Sequence, residues 1–375
     1  MKIKDIKALE VSVPIENQKK RKTVNLVVVT TNEGITGIGE LRRAHTYVCL
    51  VPSYERPSGI VNSIVESCLK PLLIGCNPFD IESLFDKMYR ATQNVGQRGL
   101  MIIAISGVEQ ALWDIIGKAA KQPVYNLIGG CVHKDIEAYA SLGRYPTVNE
   151  TVKGAIHYID MGFKAIKLHQ REIESSKALR IEVGEDVKIM LDVNGLWTPD
   201  VTIKKAKELA DYNITWLECP VYPQDDIDGT ARVTAIVGDR VPICAGENEY
   251  TIWGFKNIID KKAVNVINLD PVKCGGLWQA KKIAALAEVE RILCAPHSAC
   301  SEVGLETALH LTTSTPNCTY AEVWGTVLDV MEGLTESVLA EPLKIENGFI
   351  KASSKPGFGI ELNWKVIDKY TIDKR

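Results

Sequence analysis

Five short apolar segments, each ending on an acid or a histidine, follow one another at nearly even spacing and restrict the possible folds of this chain. Successive terminal residues are 23 to 29 positions apart, which is the length of one strand, one helix and two loops. They are Asp192, Glu218, Glu247, Asp270 and His297. In a barrel of alternating strands and helices, the C-terminal ends of all strands meet on one face. These five residues are therefore expected to converge on one pocket.

Three of the terminal residues form a candidate metal site. Asp192, Glu218 and Glu247 would repel one another on neighbouring strands unless a positive charge lay between them. A hard, oxygen-seeking divalent cation such as Mg²⁺ suits such a carboxylate set. Taken singly, each acid would more often cap the helix that follows it. Taken together at successive strand ends, they favour the metal site.

The remainder of the chain predicts an α/β protein with three parts. Residues 1 to about 50 are typical of strands, residues 58–128 of helices, and eight later segments of barrel strands. These segments are 136–140, 165–168, 188–192, 214–218, 242–246, 264–270, 292–296 and 319–323. We expect a first domain over residues 1–130, a barrel over 131–327, and a C-terminal segment, 328–375, that packs back on the first domain.

Composition excludes several classes of function and partner. The 375 residues are 46% hydrophobic and 24% charged, with a net charge of −3, which indicates neither a nucleic-acid partner nor a membrane. The ten cysteines show no zinc-binding spacing, and several lie in apolar strand-like segments, which favours reduced thiols. The N-terminus lacks the apolar core of a signal peptide. We expect a cytoplasmic protein.

Several motifs, in this order and at these strand ends, resemble the enolase superfamily over nearly the whole chain, in its mandelate racemase/muconate lactonising enzyme branch. The motifs are residues 104–114, 162–169, 192–194, 218–220, 246–248, 270–271, 275–276 and 297. The resemblance implies a modified TIM barrel, (β/α)₇β, with an N-terminal α+β capping domain completed by the C-terminal tail. It also implies one Mg²⁺ per subunit, abstraction of a proton α to a carboxylate, and a homo-oligomer, either an octamer or a dimer.

His297 is the leading candidate for the base. Asp270 lies one barrel unit earlier, so its carboxylate can orient the imidazole and stabilise the imidazolium after proton transfer. A single histidine after Ala-Pro is more often structural. By resemblance, however, His297 and Asp270 form the His–Asp dyad of the mandelate racemase-like enzymes.

A second group of candidates lies at the end of the predicted second barrel strand. The family often has Lys-x-Lys there, and this chain has Lys167 followed by His169. Residues two apart point to the same side of a strand, so Lys167 can lower the proton affinity of His169. His169 then either works on the opposite face of the substrate or acts only as a hydrogen-bonding residue at the barrel rim. Glu322 matches the acid that hydrogen-bonds the substrate carboxylate in the family and, if protonated, could donate a hydrogen bond to the enediolate as an electrophilic partner. The alternative is that Glu322 is a plain strand-end acid.

The remaining candidates concern the substrate. Asn194 lies beside the metal site, and Arg43, His45 and Tyr47 lie in a cap loop that could cover the barrel mouth. This loop and the basic segment 16–22 are polar, which favours a hydroxylated anionic substrate over an aromatic one.

These features predict a Mg²⁺-dependent enzyme that acts on a small carboxylate, namely a sugar acid. Loss of a β-hydroxyl after proton abstraction would make it a sugar acid dehydratase. Reprotonation would make it a racemase or epimerase, and loss of a ring oxygen would make it a cycloisomerase. A binding barrel without catalytic activity is disfavoured because the acids and the dyad are all present. A hydrolytic metal barrel is disfavoured because it would normally require histidine ligands.

Overall fold

The computed structural model describes residues 1–16, 21–42 and 59–372. The predicted substrate-binding residues Arg43, His45 and Tyr47 lie outside the described residues. The basic segment was predicted to be a loop as far as Lys22, but Arg21 and Lys22 already belong to the second strand. They pair there with Pro14 and Val13 of the first strand, so the strand pairing extends further than the sequence predicts.

An antiparallel sheet of three strands begins the capping domain. Its strands are β1 (Ile3–Pro14), β2 (Arg21–Thr31) and β3 (Thr36–Leu41). The helices that follow are α1 (Ile60–Ile64), α2 (Lys70–Leu73), α3 (Ile81–Ala91), α4 (Leu100–Ala120) and α5 (Val124–Leu127), with a π-helical turn between α1 and α2. This arrangement confirms the predicted α+β capping domain.

Helix α4 forms the core of the capping domain. A Cβ atom at Gly39 of β3 would lie 2.1 Å from the carbonyl oxygen of Gly107, so only glycine allows β3 to approach α4 this closely. Among the described helices, α4 alone has the length and apolar composition to cross a membrane, but 89% of its most apolar segment is buried within the protein. Burial of this kind is typical of a core helix.

Eight parallel strands form the barrel, and seven helices lie between them. The strands are β4 (Ile136–Ser141), β5 (Ala165–His169), β6 (Lys188–Asp192), β7 (Ile214–Glu218), β8 (Ile243–Ala245), β9 (Val266–Ile267), β10 (Leu293–Cys294) and β11 (Tyr320–Trp324). The helices are α6 (Val148–Asp160), α7 (Glu174–Val183), α8 (Pro199–Leu209), α9 (Ile227–Val237), α10 (Thr251–Asp260), α11 (Leu277–Val289) and α12 (Glu302–Thr313). The predicted (β/α)₇β architecture is confirmed.

The order of the strands closes this sheet into a barrel. The pairing runs from β10 through β9, β8, β7, β6 and β5 to β4, and β4 also pairs with β11. One bridge between Cys294 and Cys318 joins the two ends of the sheet. Side chains that include Tyr139, Met190 and Trp216 fill the interior, so the barrel is a packed core with its pocket at the C-terminal strand ends.

The C-terminal segment contacts both parts of the protein. It begins within α13 (Gly325–Met331) and contains β12 (Phe349–Ile350) and α14 (Trp364–Tyr370). Strand β12 pairs antiparallel with β4 of the barrel. The chain after α14 forms a bridge with β1, and the Ile372 N–H donates a 2.8 Å hydrogen bond to the Glu10 carbonyl oxygen of the capping domain.

Candidate active site

Three buried carboxylates meet at the C-terminal end of the barrel. Asp192 and Glu218 are the last residues of β6 and β7, and Glu247 lies just beyond β8. One oxygen atom from each residue lies within 4.8 Å of the others, and all three residues are buried. This spacing and the all-oxygen donor set suit a hard divalent cation.

Polar groups from β5, from β7 itself and from the segment after β9 hold Glu218 of this acid triad, and one of them also contacts the backbone of Glu247. Glu218 accepts hydrogen bonds from Lys167 Nζ at 2.8 Å, Trp216 Nε1 at 2.9 Å and Asn268 Nδ2 at 3.0 Å. The amide of Asn268 also accepts the backbone N–H of Glu247 at 3.0 Å. Burial raises the pKa of Glu218, and the charge of Lys167 opposes that rise.

Lys167 lies between two acids on opposite sides of the site. Its Nζ atom is 2.8 Å from Glu218 and 2.7 Å from Glu322, and all three side chains are buried. Glu322 also accepts hydrogen bonds from the Ser141 hydroxyl at 2.6 Å and the Ser298 N–H at 2.9 Å. Burial raises the pKa of Glu322, but the charges of Lys167 and His297 outweigh burial and lower that pKa to about 2. This environment therefore favours the ionised form of Glu322, whereas the donor role considered from the sequence needs the protonated form.

The structure brings together His297 and Asp270, the two residues of the predicted dyad. His297 Nδ1 lies 2.8 Å from an Asp270 oxygen, and His297 Nε2 lies 2.8 Å from Glu247. Burial lowers the pKa of His297, but the charges of Glu247 and Glu322 and the hydrogen bond with Asp270 raise it to about 10. The imidazole is thus oriented by Asp270 on one side and faces the acid triad on the other.

His169 points into the same group of residues. Its Nδ1 atom lies 2.7 Å from the Leu142 carbonyl oxygen, and its Nε2 atom lies 3.0 Å from Asp192. A carbonyl oxygen can only accept, so Nδ1 carries a proton and Nε2 is the nitrogen that can exchange one within the site. The side of the ring packs against Trp324, with the two ring centres 4.9 Å apart.

Asn194 contacts the acid triad directly. Its backbone N–H and its side-chain Nδ2 each donate a 2.7 Å hydrogen bond to Asp192. Arg144, an exposed residue of the loop after β4, donates to Asn194 Oδ1 at 2.7 Å. Asn194 therefore orients Asp192, and its predicted contact with substrate stays a prediction.

Sequence reasoning missed a buried lysine at this site. Lys273, three residues after Asp270, is only 6% exposed, and its Nζ donates to Asn248 Oδ1 at 2.6 Å. Asn248 Nδ2 in turn donates to Glu247 Oε1 at 2.9 Å. Burial lowers the pKa of Lys273, while the charges of Glu247 and Asp270 oppose that fall. Trp216 and Asn268 were missed as well, although each lies two positions before a predicted acid, and Trp216 lies on the same side of β7 as Glu218.

Comparison with known proteins agrees with this geometry. Residues 6–129 match the family described as mandelate racemase/muconate lactonizing enzyme, N-terminal domain, and residues 150–366 match the family described as enolase C-terminal domain-like. The chain belongs to the mandelate racemase/muconate lactonizing enzyme family of the enolase superfamily. The resemblance inferred from the motifs is confirmed.

Several members of this family are similar to the chain over nearly its whole length. An arabinonate dehydratase of Saccharolobus solfataricus is 34% identical over 91% of this chain and 89% of its own length. A D-galactarolactone cycloisomerase of Agrobacterium fabrum is 29% identical over 92% of this chain and 91% of its own length. The crystal structure of a 3,6-anhydro-D-galactonate cycloisomerase from Zobellia galactanivorans is 29% identical, with a TM-score of 0.86 and full coverage of both chains. These lyases and isomerases bear out the prediction of an enzyme from one of the two classes.

Proposed function

We propose that the protein is a Mg²⁺-dependent sugar acid dehydratase that forms a 2-keto-3-deoxy acid. The observation that carries this proposal is the hydrogen-bonded Asp270–His297 pair facing three clustered carboxylates. Asp192, Glu218 and Glu247 would hold the Mg²⁺. When bound, Mg²⁺ would bind the substrate carboxylate, stabilise the negative charge of the enediolate and compensate the charge of Glu247 beside His297.

The residues around the cation site would divide the chemistry between two faces of the substrate. His297 takes the α-proton at Nε2, and Asp270 stabilises the resulting imidazolium through Nδ1. The Lys167 ammonium, held by Glu218 and Glu322, adds positive charge where the enediolate oxygens develop negative charge. On the other side, His169 gives the proton from Nε2 to the departing β-hydroxyl, which leaves as water.

A cycloisomerase is the second candidate. It is favoured by the two related cycloisomerases, one of them similar over the full length of both chains. The first step would be the same, and a ring oxygen would replace the β-hydroxyl as the leaving group. A racemase or epimerase would instead return a proton to the α-carbon from the opposite face.

A substrate screen would test this proposal. The purified enzyme with Mg²⁺ is incubated with a library of mono- and diacid sugars that includes arabinonate and xylonate, and both 2-keto acid formation and optical rotation are recorded. A dehydratase gives a 2-keto acid whose NMR spectrum shows a new methylene at C3. A change of rotation without a keto acid would instead support an epimerase, and a keto product formed by ring opening without loss of water would support a cycloisomerase.

A variant and an exchange experiment test the assigned residues. Asp192→Asn should abolish activity, and full activity without Mg²⁺ would contradict the assignment of the cation site. Exchange of the substrate α-proton with solvent deuterium should be lost in His297→Asn and should persist in His169→Asn. The opposite pattern would make His169 the base.

A further inference from the structure

Two buried carboxyl groups of the capping domain reach the first turns of two barrel helices. Glu40, on β3, accepts hydrogen bonds from the Ser301 N–H at 2.9 Å, the Gly304 N–H at 2.8 Å and the Ser301 hydroxyl at 2.6 Å. These donors belong to the start of α12. A carboxyl at a helix N-terminus satisfies N–H groups that have no partner within the helix.

Glu109, on α4, makes the equivalent contacts with α11. It accepts the Leu277 N–H at 2.7 Å, the Trp278 N–H at 2.9 Å and the indole N–H of Trp113 at 2.8 Å. Glu40 is 4% exposed and Glu109 is 1% exposed. Burial raises the pKa of both carboxyls, against the effect of their donors.

Short segments join the two members of the dyad to the two helices. Asp270 is joined to α11 by the segment 271–276, and His297 is joined to α12 by the segment 298–301. Within the first segment the N–H groups of Lys273 and Cys274 donate to the Asp270 carbonyl oxygen at 2.9 and 2.8 Å. The Gly275 N–H donates to the Ser106 hydroxyl of α4 at 2.9 Å. A displacement at either helix start would therefore be transmitted to Asp270 or His297.

One glutamine joins these two sets of contacts. The Gln110 side chain accepts the Glu40 N–H and donates to the Glu40 carbonyl oxygen, both at 3.3 Å. It also lies 3.5 Å from the Pro271 carbonyl oxygen, next to Asp270, and accepts the Thr307 hydroxyl of α12 at 3.3 Å. One hydrogen-bonded network thus includes strand β3, helix α4 and the segments 271–276 and 298–301.

We infer that Glu40 and Glu109 are positioning residues, through which the capping domain holds the segments after Asp270 and His297 and so fixes the geometry of the dyad. The inference rests on the proposed role of His297 as the base. It assigns the capping domain a part in the proton-transfer step, through two residues whose carboxyl groups bond to the starts of α12 and α11 rather than to the acid triad.

An NMR experiment without substrate tests the positioning directly. Imidazole ¹H–¹⁵N spectra of the full chain with Mg²⁺ are recorded, and the His297 resonances are assigned, among the six histidines, by their loss in His297→Asn. Glu109→Gln and Glu40→Gln should shift the His297 Nδ1–H resonance. The matched control is Asp114→Asn, because buried Asp114 also lies on α4 and accepts backbone N–H groups, from Ile38 and Phe358 at 2.9 Å each, away from the dyad.

Steady-state kinetics with arabinonate give a second readout. Glu109→Gln and Glu40→Gln should lower kcat by on the order of 10²-fold with little change in KM, because displacement of a reacting group by about 1 Å has such an effect. Asp114→Asn should leave kcat within a few-fold of wild type. If Glu109→Gln fails to fold, Ser106→Ala removes the acceptor of the Gly275 N–H, together with a hydrogen bond to the Ile102 carbonyl oxygen within α4, and should shift the same resonance.

Two outcomes would overturn the inference. One is an unchanged His297 resonance in the folded variants, and the other is a shift of equal size in Asp114→Asn. If the enzyme does not turn over sugar acids, the kinetic experiment fails, but the NMR experiment still reports on the dyad. Failure of the proposed function and failure of this inference are therefore distinguishable.

Discussion

Lys167 compensates the negative charge of two buried acids at the centre of the site. Its ammonium group lies 2.8 Å from Glu218 and 2.7 Å from Glu322. Removing one partner of a buried ion pair leaves an uncompensated charge, at a cost of about 3–5 kcal/mol. We predict that Lys167→Met lowers the free energy of unfolding by an amount of that order and abolishes turnover. Urea denaturation of the two proteins in Mg²⁺ measures the difference.

Lys188 provides the control for this prediction. Its Nζ pairs with Glu137 at 2.5 Å, near the N-terminal ends of β6 and β4 and thus at the end of the barrel away from the site. The side chain of Lys188 is 42% exposed. A partly exposed pair contributes about 1 kcal/mol or less. Lys188→Met should therefore leave turnover unchanged and cost little stability. An equally small loss of stability in Lys167→Met would contradict the role assigned to Lys167.

Lys273 and Asn248 orient one member of the acid triad. With the lysine removed, the Asn248 amide loses its 2.6 Å donor and can rotate away from Glu247. Loss of a group that orients a metal ligand typically weakens metal affinity by about 10–100-fold. We predict a weakening of this size for Mg²⁺ binding to Lys273→Met, measured by isothermal titration calorimetry. Exposed Lys256→Met is the control, and an unchanged dissociation constant in Lys273→Met would contradict this role.

The sequence predicts which residues meet at the site only where those residues recur at a regular spacing along the chain. Asp192, Glu218 and Glu247 end successive strands, so the barrel repeat alone indicated that they would meet. Lys273 lies in an irregular loop, and the contact between Glu40 and Ser301 spans 261 positions of sequence. No local period encodes such contacts, because they arise from the packing of the capping domain on the barrel.

At the scale of elements, the three strands β8, β9 and β10 are shorter than the sequence predicts. Segments 242–246, 264–270 and 292–296 were predicted as strands, and the structure has Ile243–Ala245, Val266–Ile267 and Leu293–Cys294. Side-chain amides replace part of the regular pairing there: Asn265 Oδ1 accepts the Ile243 N–H at 2.8 Å and Asn268 Oδ1 accepts the Glu247 N–H. An apolar run predicts that a strand exists, but it does not show where side chains take over its hydrogen bonds.

The start of α11 has a pH dependence that can be measured. Burial raises the pKa of Glu109 from 4.5 to about 8 in the folded protein. A carboxyl whose pKa is raised by folding binds its proton more tightly in the folded state, so its contribution to stability falls as pH rises from about 4.5 to about 8. We predict that wild type loses stability relative to Glu109→Gln across this interval, with a limiting slope of about 1.4 kcal/mol per pH unit.

Denaturation of both proteins at a series of pH values measures this difference. Asp114→Asn is compared with wild type at the same pH values. This comparison measures how much Asp114, a second buried acid of α4, contributes to the change of stability with pH. A constant difference between wild type and Glu109→Gln would contradict the prediction. It would mean that the N–H donors at the start of α11 keep the carboxyl ionised throughout the interval.

At the scale of the whole molecule, the capping domain is tied to the barrel on several sides. Glu40 and Glu109 hold α12 and α11, and Arg98 of the capping domain pairs with buried Glu249, after β8, at 2.7 Å. The C-terminal segment adds β12 to the barrel and α14 to the cap. Sequence predicted the order of these parts, but the polar links between them became visible only in three dimensions.

If the acid triad holds a cation as proposed, relief of the repulsion among its carboxylates should make the stability of the whole molecule depend on that cation. A ligand that binds only the folded state stabilises it by about 2.7 kcal/mol at one hundred times its dissociation constant. We predict that the Tm of the wild type is higher in Mg²⁺ than in a chelator, and that Asp192→Asn removes this increase. Exposed Asp211→Asn is the control and should keep it, because its side chain is 84% exposed and pairs with Arg240. Calorimetry in both buffers measures the shift, and an equal increase in Asp192→Asn would mean that the cation binds elsewhere.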